Sequence, residues 1–550
     1  MPDRGRRVYG IDLGTTYSAV GFVDETGRAS IARNGEGEET TPSVVYLESP
    51  TNVVVGTQAK AIAKIEPDHV VSLVKRQMGT SALYAFHGQE HTPESLSALI
   101  LKHLAAGAEV DDEVRDVVIT VPAYFGMRER DATRKAGEIA GLAVLGIVPE
   151  PVAAAVHYET SQGAVGRTVL VYDLGGGTFD TSVIRIDDNA VDVVCTDGDK
   201  DLGGADWDAR LAEHLMTRFV EEAAPDEDPR ESEDLVQEVA LLAESVKKQL
   251  SKHESRPVNL KLAGAAARFD VSRTEFEAMT EDLLDTTVAI LRRTLDTLED
   301  KSPGTTIDEV LLVGGSTRMP AVAERLAAEF GWTPRLFEPD LAVAKGAAIW
   351  ALSRRVVQET ARARDAAPTP EAGDERAREA LSAIAAATGM SEADLGRLSA
   401  KSTRNVLSKA FGVQLVDGPR PDDRVYVHHL VAANDPLPTG DRTLEAFTVV
   451  AGQRSVDIAL YEQAGTVASE EMEDNVAVSD GAGRIEGIPP GPAGAPVDIV
   501  LGIDEQGLLR LRATHRSSGR GLDIAVTIGA LSPEEVERAT RVVHGLMVTG

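Results

Sequence analysis

The sequence predicts an α/β domain over residues 1–355 and an all-β sandwich over residues 401–530, and three observations carry that reading. Through residues 8–355, short β-branched runs alternate with long helical patterns, the rhythm of strands covered by helices. Past Lys401 the hydrophobic period falls to two, as in Val456-Asp-Ile-Ala-Leu460, so one face of each segment is apolar and the other wet. A strand-and-glycine segment at 9–16 also returns in altered form at 172–180, an echo at domain-scale separation.

Each element follows in order. Val117-Val-Ile-Thr-Val121 is a buried-strand pattern, and 128–142 after it reads as a helix. Val169-Leu-Val-Tyr172 and Asp308-Glu-Val-Leu-Leu-Val313 are strands that run into glycines. From 356 to 400 Ala, Arg and Glu dominate, Pro368-Thr-Pro370 breaks the chain, and 374–387 reads as one amphipathic helix. This stretch is predicted to be a linker with a short helix. In the β region Leu509, Leu511 and Ala513 alternate with Arg510 and Arg512, and 522–528 alternates likewise. Asp504-Glu-Gln-Gly507 before them carries a turn signature, Asp first and Gly fourth. Residues 531–550 start a short C-terminal helix, with Ser532 as N-cap, Pro533 at its first position and Glu535 at its third.

Composition narrows the function. Lys and Arg number 56 against 88 Asp and Glu, a formal charge of −32, which argues against a chain-wide grip on nucleic-acid phosphate. The single cysteine, Cys195, excludes an intrachain disulfide and a multi-thiolate metal site. No apolar run approaches the length of a membrane span, and no secretory pattern opens the chain, so a cytoplasmic protein with no membrane partner is expected.

The echo carries the chemistry. Tyr9-Gly-Ile-Asp-Leu-Gly-Thr-Thr16 and Tyr172-Asp-Leu-Gly-Gly-Gly-Thr-Phe-Asp180 share the order strand, Asp, apolar residue, Gly, Thr. Glycine lets backbone N–H groups approach phosphate oxygens with no Cβ in the way, and Thr15, Thr16 and Thr178 add hydroxyl donors. Asp12 and Asp173 at the strand ends suit a hydrated Mg²⁺, which takes one or two carboxylates plus water and phosphate oxygens. One such loop alone reads equally well as a hairpin turn; two copies favour a clamp on a polyphosphate. Neither a Walker loop nor a dinucleotide fingerprint follows a strand.

These motifs resemble the actin-like ATPase superfamily and, within it, the 70-kilodalton heat-shock chaperones. The similarity covers 8–350 and about 405–540. It is carried by Gly10-Ile-Asp-Leu-Gly-Thr-Thr-Tyr17, Ile119-Thr-Val-Pro-Ala-Tyr-Phe125, Glu150-Pro-Val-Ala-Ala-Ala155, the second glycine loop, Leu202-Gly-Gly204 and Leu312-Val-Gly-Gly-Ser-Thr-Arg-Met-Pro320. The resemblance implies a two-lobed actin-like (ribonuclease H-like) ATPase domain, then a peptide-binding β-sandwich. It implies ATP or ADP with Mg²⁺ held through water by Asp12 and Asp173, and K⁺ as a further candidate ion. Lys75 would approach the γ-phosphate, Glu150 would orient the metal or the attacking water, and Thr178 and Asp180 would position that water. Gly14, Thr15, Thr16, Tyr17, Gly175, Gly176, Gly177, Gly203 and Gly204 would cradle the phosphates. Glu244, Lys247, Lys248 and Ser251 share one helix face, and with Gly314, Gly315, Ser316, Arg318 and Asp340 they correspond to nucleoside-contacting positions. Pro122 and Arg130 match the family's relay to the peptide domain, and Phe447 and Val456 fall near its apolar groove. Implied partners are unfolded or extended peptides, with J-domain and nucleotide-exchange co-chaperones.

The chain also departs from the family pattern. Asp201-Leu-Gly-Gly-Ala-Asp206 stands where the family has His-Leu-Gly-Gly-Glu-Asp, the stretch after Gly79 is short, the insert at 356–400 replaces a short apolar linker, and the helical lid is truncated to 531–550. The residues therefore leave two readings besides the ATP-hydrolysing chaperone: a nucleotide-binding scaffold with little hydrolysis, and an actin-fold small-molecule kinase. The β domain and the Gly-Gly-Ser-Thr-Arg-Met-Pro run disfavour the kinase.

Overall fold

The computed structural model describes residues 7–550 apart from 109, 111–112, 226–227, 263–264, 421–422, 466, 505–506, 528 and 530. Two lobes repeat one plan. In lobe one, strand Val8–Asp12 pairs in parallel with Asp116–Val121 and antiparallel with Tyr17–Val23. In lobe two, Arg167–Leu174 pairs in parallel with Glu309–Val313 and antiparallel with Phe179–Asp187. The echo in the sequence is thus an echo in topology, and each glycine loop closes the equivalent hairpin.

Two helices, Glu150–Gln162 and Ala342–Asp365, lie between the sheets. Small residues let them come close. A Cβ on Gly346 would stand 1.7 Å from the Ala153 carbonyl oxygen, and one on Gly10 would stand 2.2 Å from the Ala348 nitrogen. The core shared by Val152, Val171, Leu311, Ala347 and Leu352 joins the lobes at their base and leaves the glycine loops at the open end of the cleft.

The stretch 356–400 is not a linker. Helix Ala342–Asp365 runs through position 355, and helices Pro370–Thr388 and Glu392–Ala400 fold back on it. Val356, Ile384 and Leu395 enter the same core as Val152. The physical reason is that these few large apolar side chains, sparse among alanines, recur on one face and need cover. The connection between domains is the segment after them: Ser402–Arg404 adds a parallel strand beside Ala190–Asp199 in the lobe-two sheet.

The sandwich forms as its alternation requires. One sheet contains Val425–Val431, Phe411–Val416, Ser455–Gln463 and Asn475–Glu486. The other contains Arg442–Phe447, Pro496–Ile503, Leu508–His515 and Arg520–Thr527. Leu509, Leu511 and Ala513 point into the core between them. The Gly507 N–H bonds the Asp504 carbonyl at 3.1 Å, although the turn's central residues, 505 and 506, lie outside the described residues, as does 528 of the alternating run. Helix Pro533–Gly545 carries the predicted capping box. It is followed by a strand absent from the sequence reading, Met547–Thr549, which pairs in parallel with Asn52–Val55 of lobe one. The tail therefore packs on the ATPase lobe.

Candidate nucleotide site

The two glycine loops meet across the cleft. A Cβ on Gly176 would lie 1.9 Å from the Thr16 hydroxyl, and one on Gly177 would lie 2.2 Å from the Thr15 methyl. Only glycine permits that approach. Around the loops lies a cavity of about 940 Å³ lined by Asp12, Gly14, Thr15, Thr16, Tyr17, Lys75, Glu150, Asp173, Gly175, Gly176, Thr178, Glu244, Lys247, Lys248, Ser251, Gly314, Gly315, Ser316, Arg318 and Asp340. Residues from seven separated stretches thus converge on one pocket. Gly177, Gly203, Gly204 and Asp180 stand behind its wall: a Cβ on Gly203 would lie 2.5 Å from the Thr178 nitrogen, so that glycine backs the second loop.

At the glycine-loop end of the cavity, buried carboxylates outnumber cations. Asp173 and Asp180 are register partners on adjacent strands. Asp12 accepts a bond from the Thr120 hydroxyl at 2.9 Å. Burial, reinforced by Glu150, pushes the Asp12 carboxyl up to about 7, against the opposing pull of Lys75 and Thr120. Burial and neighbouring carboxylates also raise Asp173 and Asp180 well above the ordinary range. Asp180 Oδ1 accepts the Tyr124 N–H at 3.3 Å, while its Oδ2 is buried with no partner among the described residues.

A turn at Val74–Gln77, entered through a left-handed Leu73 (φ 56°), delivers Lys75 into this cluster. Lys75 Nζ bonds Glu150 Oε1 at 2.5 Å, and the ring of Phe125 lies beneath the ammonium. One lysine cannot neutralise four carboxylates, so the donor set fits a divalent cation. Among the described residues no three His, Cys, Asp or Glu side chains converge closely enough to hold a metal ion directly. Water and phosphate oxygens would complete its shell, as Mg²⁺ prefers.

The next residue, Arg76, crosses the cleft. Its Nε donates to the Gly177 carbonyl at 2.8 Å and its Nη2 to Asp206 at 2.6 Å. Asp206 also accepts the Gly203 N–H at 2.7 Å. A second crossing closes the other end, where Tyr17 donates to Glu244 at 3.0 Å and Lys248 and Lys60 both donate to the Tyr17 hydroxyl. Burial alone would raise Glu244, but Lys60 and Lys248 overcome it and take the carboxyl down to about 2. Of the residues predicted on this helix face, Lys247 turns away from the opening and donates to the Gly204 carbonyl and to Asp208, propping the second loop. Arg318 pairs with Asp340 at the rim. Sequence reasoning missed Lys60, Arg76, Asp206 and Asp208. Arg76 adjoins a singled-out lysine and Asp206 lies within a quoted departure, but Lys60 sits in an ordinary helix with no local signal.

The predicted relay residues lie between this site and the sandwich. Pro122 ends strand Asp116–Val121, and Arg130 donates to the carbonyls of Phe125 and Ala123, its guanidinium lowered by burial to about 10. Ser408, at the entry to the sandwich, donates to the same Phe125 carbonyl at 3.0 Å. Asp180, Tyr124, Phe125 and Ser408 thus form one connected path. Phe447 and Val456 are placed apart, one in each sheet of the sandwich, at the two ends of loop 448–454. Phe447 is 55% exposed, and Val456 packs half-buried on the core.

Comparison with known proteins agrees with this geometry. A family model described as Hsp70 protein matches residues 8–84 and 82–365. Proteins named chaperone protein DnaK from Thermotoga neapolitana, Thermotoga petrophila and Thermotoga maritima are each 32% identical over 551 aligned positions, covering 98% of this chain and 83% of theirs. With two matching lobes, two interlocked glycine loops and a sandwich joined through Ser408, the chain belongs to the Hsp70 family.

Proposed function

We propose that the chain is an ATP-dependent chaperone: an ATPase that hydrolyses Mg-ATP between the two glycine loops and uses the nucleotide state to control the binding of extended peptide by the sandwich. The observation that supports this reading best is the interlocking of the loops around a cluster of carboxylates and one lysine. Family membership favours it over the scaffold that binds without hydrolysing.

Asp12 and Asp173 would hold Mg²⁺ through water, and the ion would supply charge neutralisation for the phosphate oxygens. Backbone N–H groups of the loops and the hydroxyls of Thr15, Thr16 and Thr178 bind the phosphates. Lys75, fixed by Glu150, stabilises charge that develops on the transferred phosphoryl oxygens. Thr178, with Asp180 on the strand behind it, orients the attacking water. The Tyr124 N–H couples that event to Phe125 and Ser408. Peptide segments, and co-chaperones of the kinds the family uses, act on the sandwich and the lobes in the cytoplasm.

Single-turnover hydrolysis by Lys75→Ala tests the mechanism. The rate should fall by about 10²–10³, the loss typical of one preorganised donor, with nucleotide affinity nearly retained. Hydrolysis at the wild-type rate would remove Lys75 from the reaction.

A further inference from the structure

The tail is fastened to lobe one by three kinds of contact. Met547–Thr549 extends the sheet of Asn52–Val55, with the Met547 N–H bonding the Thr51 carbonyl at 2.9 Å. Ala539, Val543 and Leu546 are buried in the lobe-one core, in one cluster with Leu99 and Ile139. Lys102 caps the helix end by donating to the carbonyls of Val543 and Leu546, at 3.0 and 3.1 Å. Lys135 donates to the Leu531 carbonyl at the helix entry. The other end of the sandwich is built into lobe two, through Ser402–Arg404 in its sheet and Asn434, whose side chain accepts the Thr196 N–H at 2.8 Å.

We infer that residues 531–550 are a strap, and that the sandwich hangs between the two lobes, attached by a strand at each end. The geometry limits what the sandwich can do. Residues 528–532, between strand Arg520–Thr527 and helix Pro533–Gly545, can reach about 20 Å at full extension. While the strap is paired, the sandwich stays against lobe one, and rotation of the lobes changes the distance between its two anchors. Nucleotide state then reaches the sandwich as tension between anchors, with no need for it to leave the ATPase domain. The same attachment takes the C-terminal helix away from Phe447 and Val456, so it is an anchor and not a cover for bound peptide.

Hydrogen exchange on the full chain, with ADP and with ATP, tests the strap. Backbone amides of 52–55 and 547–549 should be protected in both states. In a chain ending at Gly545, 52–55 should lose protection at least tenfold, and small-angle scattering should show a larger radius with ADP than the intact chain has, with ATP turnover intact. Met547→Pro, which deletes the donor to Thr51 just beyond the helix, should expose 52–55 without unfolding the helix. The strap is refuted if the intact chain loses protection at 52–55 when ATP is exchanged for ADP. It is equally refuted if the shortened chain keeps the intact chain's radius in both states.

Discussion

The two glycine hairpins share a topology and differ in what holds them. The first is fastened by hydroxyls of its own lobe. The Gly14 N–H bonds Ser18 Oγ at 3.1 Å, Ser43 Oγ donates to the Gly14 carbonyl at 2.8 Å, and the Ser43 N–H bonds the Thr16 carbonyl at 2.9 Å. The second is fastened from three other elements: the N–H groups of Gly204 and Ala205, the Ser316 hydroxyl and, from the opposite lobe, Arg76. Their roots differ too, because Asp12 pairs with Ala19 while Asp173 pairs with Asp180. The first loop is therefore a local structure. The geometry of the second depends on closure of the cleft, and it carries the extra carboxylate. Lys75 and Arg76 leave the same turn for the two sides of the cleft, so the proposed hydrolysis would depend on the lobes being closed.

Forcing the loops apart should have the largest effect on that asymmetry. Gly177→Ala places a methyl within 2.2 Å of Thr15, and ATP affinity should fall by about 10² or more, at 1.4 kcal/mol per tenfold. Affinity within threefold of wild type would mean that the loops are not in contact. Arg76→Ala should cost the second loop the side-chain hydrogen bond that reaches its Gly177 carbonyl from lobe one. Charged hydrogen bonds contribute about 1.5–3 kcal/mol each, so single-turnover hydrolysis should fall roughly 10–100-fold. Arg76→Lys, which cannot fork, should recover little of it.

The carboxylates make the next expectation one of pH. A carboxyl raised in the folded state binds its proton more tightly there than in the unfolded chain, so its stabilising contribution is present at low pH and lost as pH rises toward 7. The melting temperature of the nucleotide-free protein should fall between pH 5 and 8, and Asp12→Asn should flatten that slope. Affinity for Mg-ATP should rise over the same range as protons are released. A slope unchanged in Asp12→Asn would contradict the raised carboxyl. The smallest effect is expected on the local side: Ser43→Ala removes hydroxyl bonds to the first loop and should cost about 1 kcal/mol of stability, with turnover changed less than tenfold.

The parts of this molecule that local chemistry dictates could be read from the sequence. Asp, Gly and Thr after a strand have one economical use, and period-two alternation at 509–513 orients its side chains without help from distant residues. What could not be read is what depends on distant pairing. The strand Met547–Thr549 is three residues long and finds its partner almost five hundred positions away, and nothing in its composition names that partner. Ile384 and Leu395 are too sparse among alanines to announce a packed helical hairpin. Lys60 acquires meaning only when lobe two brings Glu244 to it. Lys247, which the resemblance places at the nucleoside, lines the cavity and donates to the Gly204 carbonyl and Asp208, because a buried ammonium takes the nearest fixed acceptors.

The account rests on nucleotide at the two loops governing peptide at the sandwich, and the most direct measurement is the affinity of a labelled unfolded peptide for the full chain with ADP and with ATP. Binding should be weaker with ATP, and the difference smaller in Arg76→Ala, where the bond from lobe one to the Gly177 carbonyl is lost. Equal affinity with the two nucleotides in the wild-type chain would contradict it.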